Sequence, residues 1–225
     1  MAIAERMNPP RARVARRSRF HRLFGGGTDG NEQLTAVAGV ILLVLFAVLG
    51  VTILFIGQLL WLHLFLGVLL VGPVALKMAS TGYRFARYYT SNPAYRRKGP
   101  PPLLMRALGP FVVLSTVGVF LSGLLLLLDG PGSSALLRAS HKVTFFAWLA
   151  AVGLHVLWHL AELPSALRAV RHAERRDRDL PGSSGRGLIV ILSLAGGLGL
   201  ALLFLPDIHI WTAATAYHPY SLHIR

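Results

Sequence analysis

The stretch RASHKVTFFAWLAAVGLHVLWHLAEL, residues 138–163, is apolar enough for a lipid bilayer yet holds His141, His155 and His159. Ionisable side chains in hydrocarbon are expensive, about 2.5–3.5 kcal/mol for the costliest on insertion scales, and by default they mark functional positions. A neutral imidazole is cheaper, but its ring nitrogens still need partners. Histidines on membrane helices can ligate a haem iron, bind zinc, or hydrogen-bond between helices.

A second histidine-bearing run lies upstream. LLWLHLFLGVLLVGPVALKMA carries His63 about four residues from its start, and His141 is two or three residues into its own run. If both runs cross the membrane in the same direction, a rise of about 1.5 Å per residue puts the two imidazoles at matching depth. Two neutral imidazoles at one level on parallel helices are what bis-histidine ligation of a haem iron requires. Gly67 lies one turn below His63 and leaves that face open for a porphyrin edge. Phe145 and Trp148 continue the stripe from His141 to His155, fourteen residues on and about 21 Å along the axis. The same step from His63 leads to Lys77. A second haem would therefore rest on Lys77 with His155 or His159, although a lysine near a helix end also snorkels to the interface.

Each residue has a plainer role open to it. His63 and His141 sit near a membrane–water boundary, where an imidazole can be solvated, and His155 and His159 can be polar glue between helices. Trp61 and Trp211 suit an interfacial belt and Trp148 suits packing. His155, His159 and Glu162 share one stripe and form a candidate zinc set, but the chain has no HExxH motif. Arg138 and Lys142, beside His141, can meet haem propionates or anchor the helix at the interface. The tail histidines His209, His218 and His223 are irregularly spaced, and the tail is expected to be flexible.

The elements that must position these residues follow from composition. The chain is 54% hydrophobic yet carries a formal charge of +14 over 225 residues, so the charges must be segregated. They stand in blocks between apolar runs of membrane-spanning length, which argues for a bilayer rather than nucleic acid as the partner. With no cysteine, the chain cannot form disulfides, thiolate zinc sites or cysteine-held iron–sulfur clusters. The expected order is a disordered basic segment at 1–33, a four-helix core at 34–163 and a charged loop at 164–186. A fifth transmembrane helix at 187–205 and a tail at 206–225 complete it. The fold class is thus an all-α integral membrane bundle with five transmembrane helices.

The first helix, about 34–56, is too long for a signal-peptide core. The short link Gly57–Gln58 makes the first two spans an antiparallel hairpin. The prolines 100–102 close a basic, aromatic loop that can begin as a helical extension. Seven arginines precede the first span, and six basic residues follow both the second and the fourth. Five crossings put all three blocks on one side, the cytoplasmic one, with the tail outside the cell membrane. Few intramembrane charges and no inverted repeat argue against a transporter.

On the runs LHLFLGVLLVGPVALKMASTGYRFARYYT, NPAYRRKGPPPLLMRALGPFVVLSTVGVF and SHKVTFFAWLAAVGLHVLWHL, the chain resembles bacterial cytochrome b561-like membrane proteins of actinobacterial type, within the four-helix b-type cytochromes. The resemblance covers residues 34–163. It implies haem b, axial histidines at His63 and His141, less firmly placed roles for His155 and His159, and electron transfer as a membrane subunit of a redox complex. Lys77 departs from the usual two-haem pattern. The loop with Tyr83, Arg84, Arg87 and Tyr88 can dock a redox protein, border a quinone site or lie on anionic lipid. A cofactor-free anchoring protein and a zinc-dependent membrane enzyme are the alternatives.

Overall fold

The computed structural model describes residues 26–99, 103–160 and 181–217. They are helical almost throughout: α1 Gly27–Leu54, α2 Ile56–Leu69, α3 Val71–Tyr89, α4 Pro93–Arg97, α5 Leu103–Asp129, α6 Ala135–Leu160, α7 Ser183–Leu203 and α8 Leu205–Tyr217. Five segments are long and apolar enough to cross a membrane, with α2 and α3 together forming one, Ile56–Tyr89. Large apolar side chains face outward along these spans, among them Leu54, Phe111 and Leu203. Such a surface suits lipid, because each helix satisfies its own backbone polar groups. The chain is an all-α, multi-pass membrane protein.

Helix α1 begins seven residues before the expected start at 34. The polar residues 28–33 prolong the helix because Asp29 and Glu32 lie near its positive end, where acidic groups are favourable. The hairpin turn falls at Phe55 (φ −121°, ψ 40°) and is completed by a non-helical Leu59. Both Gln58 and Leu59 donate their N–H groups to the Phe55 carbonyl, so the break leaves that carbonyl bonded.

The join between α2 and α3 has a specific cause. Pro73 has no N–H to give the Leu69 carbonyl, and its ring crowds that position. Gly197 of α7 fills the place: a Cβ there would stand 2.0 Å from Leu69 O. A Cβ on Gly72 would in turn stand 2.0 Å from Ser193 O. Two bare Cα positions thus let α3 and α7 touch backbone to backbone, as small residues do between membrane helices. The expectation that the glycines of LAGGLGL form a close-packing face holds for Gly197; Gly196 and Gly199 face open space among the described residues.

Helix α3 continues through Tyr89, so the expected basic, aromatic loop does begin as a helical extension. No proline falls between Ser80 and Tyr89, and Phe85–Tyr89 and Tyr83–Arg87, four residues apart, pack along its side. Asn92 then caps α4 by accepting from the Ala94 N–H, with Pro93 at the first helical position.

The α5–α6 hairpin turns at Gly130 (φ +81°), whose N–H reaches Leu126 O, and Ser134 caps α6 through Leu137 N. Arg138 donates to Ser133 O and Ser133 Oγ, fastening this turn.

The expected flexible tail is instead a helix as far as Tyr217. Helix α8 buries Ile208 completely against Val68, Leu127 and Ala201, and Trp211 Nε1 donates to Leu127 O at 3.2 Å. His209 lies on it, exposed, while His218 and His223 fall outside the described residues. So do residues 1–25 of the basic segment, the end of the four-helix core at 161–163 and the charged loop from 164 to 180.

Candidate functional site

His63 and His141 lie at a like depth. They are the eighth residue of α2 and the seventh of α6, and both helices start from the end opposite the α1 N-terminus. Both residues are partly buried, and each ring has a hydroxyl at Nδ1. Thr52 Oγ1 of α1 lies 2.9 Å from His63 Nδ1. Ser122 Oγ of α5 lies 3.0 Å from His141 Nδ1 and also contacts Thr144 Oγ1 at 3.0 Å.

The surrounding backbone makes room for both rings. A Cβ on Gly123 would meet His141 Cε1 at 3.0 Å, so the imidazole of α6 lies against bare α5 backbone. At Gly67, one turn from His63, no described atom lies within 4 Å of the Cβ position. Helix α6 runs closely along α5 and along no other described helix. Towards α1 it is bridged by the rings of Phe46 and Trp148, whose centroids are 4.9 Å apart. Trp148 is 9% exposed, and its Nε1 has no hydrogen-bond partner among the described residues. A buried donor without a partner costs about 1–3 kcal/mol and calls for an explanation.

The second cluster lies towards the end where α1 begins. Lys77 Nζ donates to Thr35 O of α1 at 2.7 Å. That carbonyl is accessible because the residue one turn on is Gly39, where a Cβ would stand 3.0 Å from Lys77 Nζ. Thr35 Oγ1 reaches Ser80 Oγ at 3.1 Å, and Asn31 Nδ2 donates to Ser80 O at 3.2 Å. His155 and His159 meet edge-on, their ring centroids 4.8 Å apart. The Lys77 amine is directed to α1. Glu162, the third member of the candidate zinc set, falls outside the described residues. Among those described, no three His, Asp or Glu side chains gather as a metal site.

A groove of about 440 Å³ opens where the N-terminal ends of α1 and α7 meet α3 and α4. Tyr83, Arg87, Asn92, Tyr95 and Arg186 line it. Arg87 lies 5.9 Å from the centre of the Tyr83 ring, which meets Tyr95 edge-on at 6.0 Å. Burial pushes the Tyr95 phenol up, Tyr83 adds to the effect, and Arg87, Arg84 and Lys98 oppose it. Nearby, Lys98 bridges to Asp29 at 2.8 Å and to Glu32.

Sequence reasoning found the imidazoles and missed the hydroxyls that hold them. Thr52, Ser122, Thr144, Thr35 and Ser80 are all side chains within apolar spans, and polar groups there usually have interhelical partners. Their depth was readable; their partners were not.

Comparison with protein-family models, curated proteins and solved structures returns no match for this chain.

Proposed function

We propose that this protein is a b-type membrane cytochrome that passes single electrons through haem b held by His63 and His141. The observation that carries the reading is that these two imidazoles stand on α2 and α6 at matched distance from the helix starts, with Nδ1 of each facing a hydroxyl. The surroundings fit a flat, bulky group. Gly67 leaves its face open, α6 packs along α5 and reaches α1 through the Trp148–Phe46 ring pair, and Trp148 Nε1 offers a buried donor without a partner among the described residues.

Haem supplies the one-electron couple; the chain supplies ligand identity, low dielectric and hydrogen bonds around the ligands. Gly123 lets the His141 ring settle against α5, and Thr144 braces Ser122 from the His141 helix. Lys142, exposed one residue from His141, is the nearest candidate for a propionate, since Arg138 already fastens the turn at Ser133. The protein is assigned to the cell membrane, with the basic N-terminal side cytoplasmic by the positive-inside rule. On that side the groove between Tyr83, Arg87 and Tyr95 is the proposed docking place for a quinone or a redox protein.

One haem is assigned to His63 and His141. A second, at Lys77 with His155 or His159, is the less favoured extension, because the Lys77 amine is directed to Thr35 O of α1.

The test is a dithionite-reduced minus air-oxidised spectrum of detergent-purified protein, with pyridine haemochrome, metal content and protein measured on the same sample. A sharp b-type α-band, lost in His63→Ala and in His141→Ala, is expected. A flat spectrum from cells supplied with haem would overturn the reading. Zinc without iron would then favour a zinc enzyme, and no metal a cofactor-free anchor.

A further inference from the structure

We propose that Thr52 and Ser122 are positioning residues that fix both imidazoles in the Nδ1–H tautomer and so present Nε2 of His63 and of His141 as the free lone pair. The inference rests on the haem reading only for what Nε2 faces; the tautomers follow from hydrogen-bond accounting.

A hydroxyl has one hydrogen to give. Thr52 Oγ1 gives its hydrogen to Leu49 O at 2.5 Å, so the 2.9 Å contact with His63 Nδ1 must run the other way, from ring N–H to Oγ1. His63 Nε2 then carries the lone pair. The same accounting applies to His141. Ser122 Oγ has two oxygen acceptors for its hydrogen, Val119 O at 3.2 Å and Thr144 Oγ1 at 3.0 Å. With its hydrogen given to either, Ser122 Oγ accepts from His141 Nδ1 at 3.0 Å. Thr144 Oγ1 gives its own hydrogen to Ser140 O at 2.9 Å or His141 O at 3.0 Å, and its lone pairs stay open to the Ser122 hydrogen.

The two sites are built alike from different helices. Each imidazole projects from one helix and is held by a hydroxyl on the preceding one: α1 holds α2, and α5 holds α6. Each hydroxyl is buried, Thr52 at 1% and Ser122 at 8% exposure, so water does not compete for the ring N–H. An oriented partner on the far nitrogen of a ligating histidine fixes the ring and raises its basicity. The more basic ligand favours the ferric iron. Removing the hydroxyl should therefore weaken haem binding, and weaken ferric binding most.

The experiment has two arms. Histidine-specific ¹⁵N labelling of the haem-free protein in detergent, read by long-range imidazole correlation spectra, reports the tautomers directly. Protonated Nδ1 and unprotonated Nε2 are expected at His63 and His141. Thr52→Val should alter His63 alone, Ser122→Ala should alter His141 alone, and Thr52→Ser should restore the His63 pattern. An Nε2–H tautomer at either residue in the unmutated protein overturns the assignment there. In the second arm, haem titration and potentiometry of loaded protein should show about tenfold weaker binding in Thr52→Val and Ser122→Ala. The midpoint should rise by ~59 mV for each tenfold by which ferric affinity falls below ferrous. Unchanged affinity and midpoint in both variants, with haem bound, overturns the positioning role. Failure of the unmutated protein to bind haem overturns the cytochrome reading instead, while the tautomers still decide what Thr52 and Ser122 do.

Discussion

Gly197 of α7 presents a bare Cα to the carbonyl of Leu69 at the α2–α3 join, so close that a Cβ would stand 2.0 Å from the oxygen. The obstacle is backbone rather than a flexible side-chain end, and an alanine in this place could fit only if α7 moved away from α3. Gly197→Ala is therefore expected to destabilise the bundle by about 3 kcal/mol, the upper range for overpacking. Gly196→Ala and Gly199→Ala, facing open space, should leave stability unchanged or slightly raised. Thermal unfolding in detergent compares the three, and equal melting temperatures would refute the contact.

Gly67 separates a fold effect from a cofactor effect. With nothing described within 4 Å of its Cβ position, Gly67→Ala should fold normally. Gly67→Phe should also fold but lower haem content several-fold, since the ring would enter the space proposed for the porphyrin. Haem-to-protein ratio and melting temperature on the same preparations decide. A loss of stability without a change in ratio would count against the proposed space.

Lys77 is held by a single carbonyl, Thr35 O, reached across Gly39. Removing the amine leaves no backbone group unsatisfied, because Thr35 O keeps its bond within α1, and a partly buried cation disappears. Lys77→Met should keep the fold, gain about 1 kcal/mol of stability, and leave one haem per chain. A ratio that drops from two to one in this variant would assign Lys77 to a second haem.

Lys98 joins α4 to the start of α1 through Asp29 and Glu32. The hydrogen bond to Asp29, then that to Glu32, holds its ammonium above the ordinary lysine range. A cation with a raised folded-state value stabilises fully below the ordinary lysine value, about 10.4, and loses that contribution as pH rises through the raised one. All three side chains are more than a third exposed, so the contribution should stay below ~1 kcal/mol and shrink in salt. The melting difference between unmutated protein and Lys98→Ala should be constant from neutral pH to about pH 10 and vanish above it. A difference that grows with pH would contradict the pairing.

The sequence by itself determined the five spans, because length and continuous apolarity are local properties that a bilayer reads directly. It also placed His63 and His141 at a like distance from their helix starts, since depth follows from counting along helices of known rise. It misplaced boundaries where polar residues continue a helix. Residues 28–33 extend α1, residues 83–89 extend α3, and residues 205–217 form α8.

Only the tertiary structure decided which hydroxyl meets which imidazole, that Lys77 turns to α1, and that Gly197, not Gly196, touches Leu69. The physical reason is rotation. Spans such as α1, α2 and α5 are apolar all round, so no face is marked for the interior and the sequence leaves each helix free to turn about its axis. Packing of bare glycines against backbone, and of hydroxyls against ring nitrogens, fixes that angle. Those contacts join residues as far apart as Leu69 and Gly197, whose pairing no local pattern records.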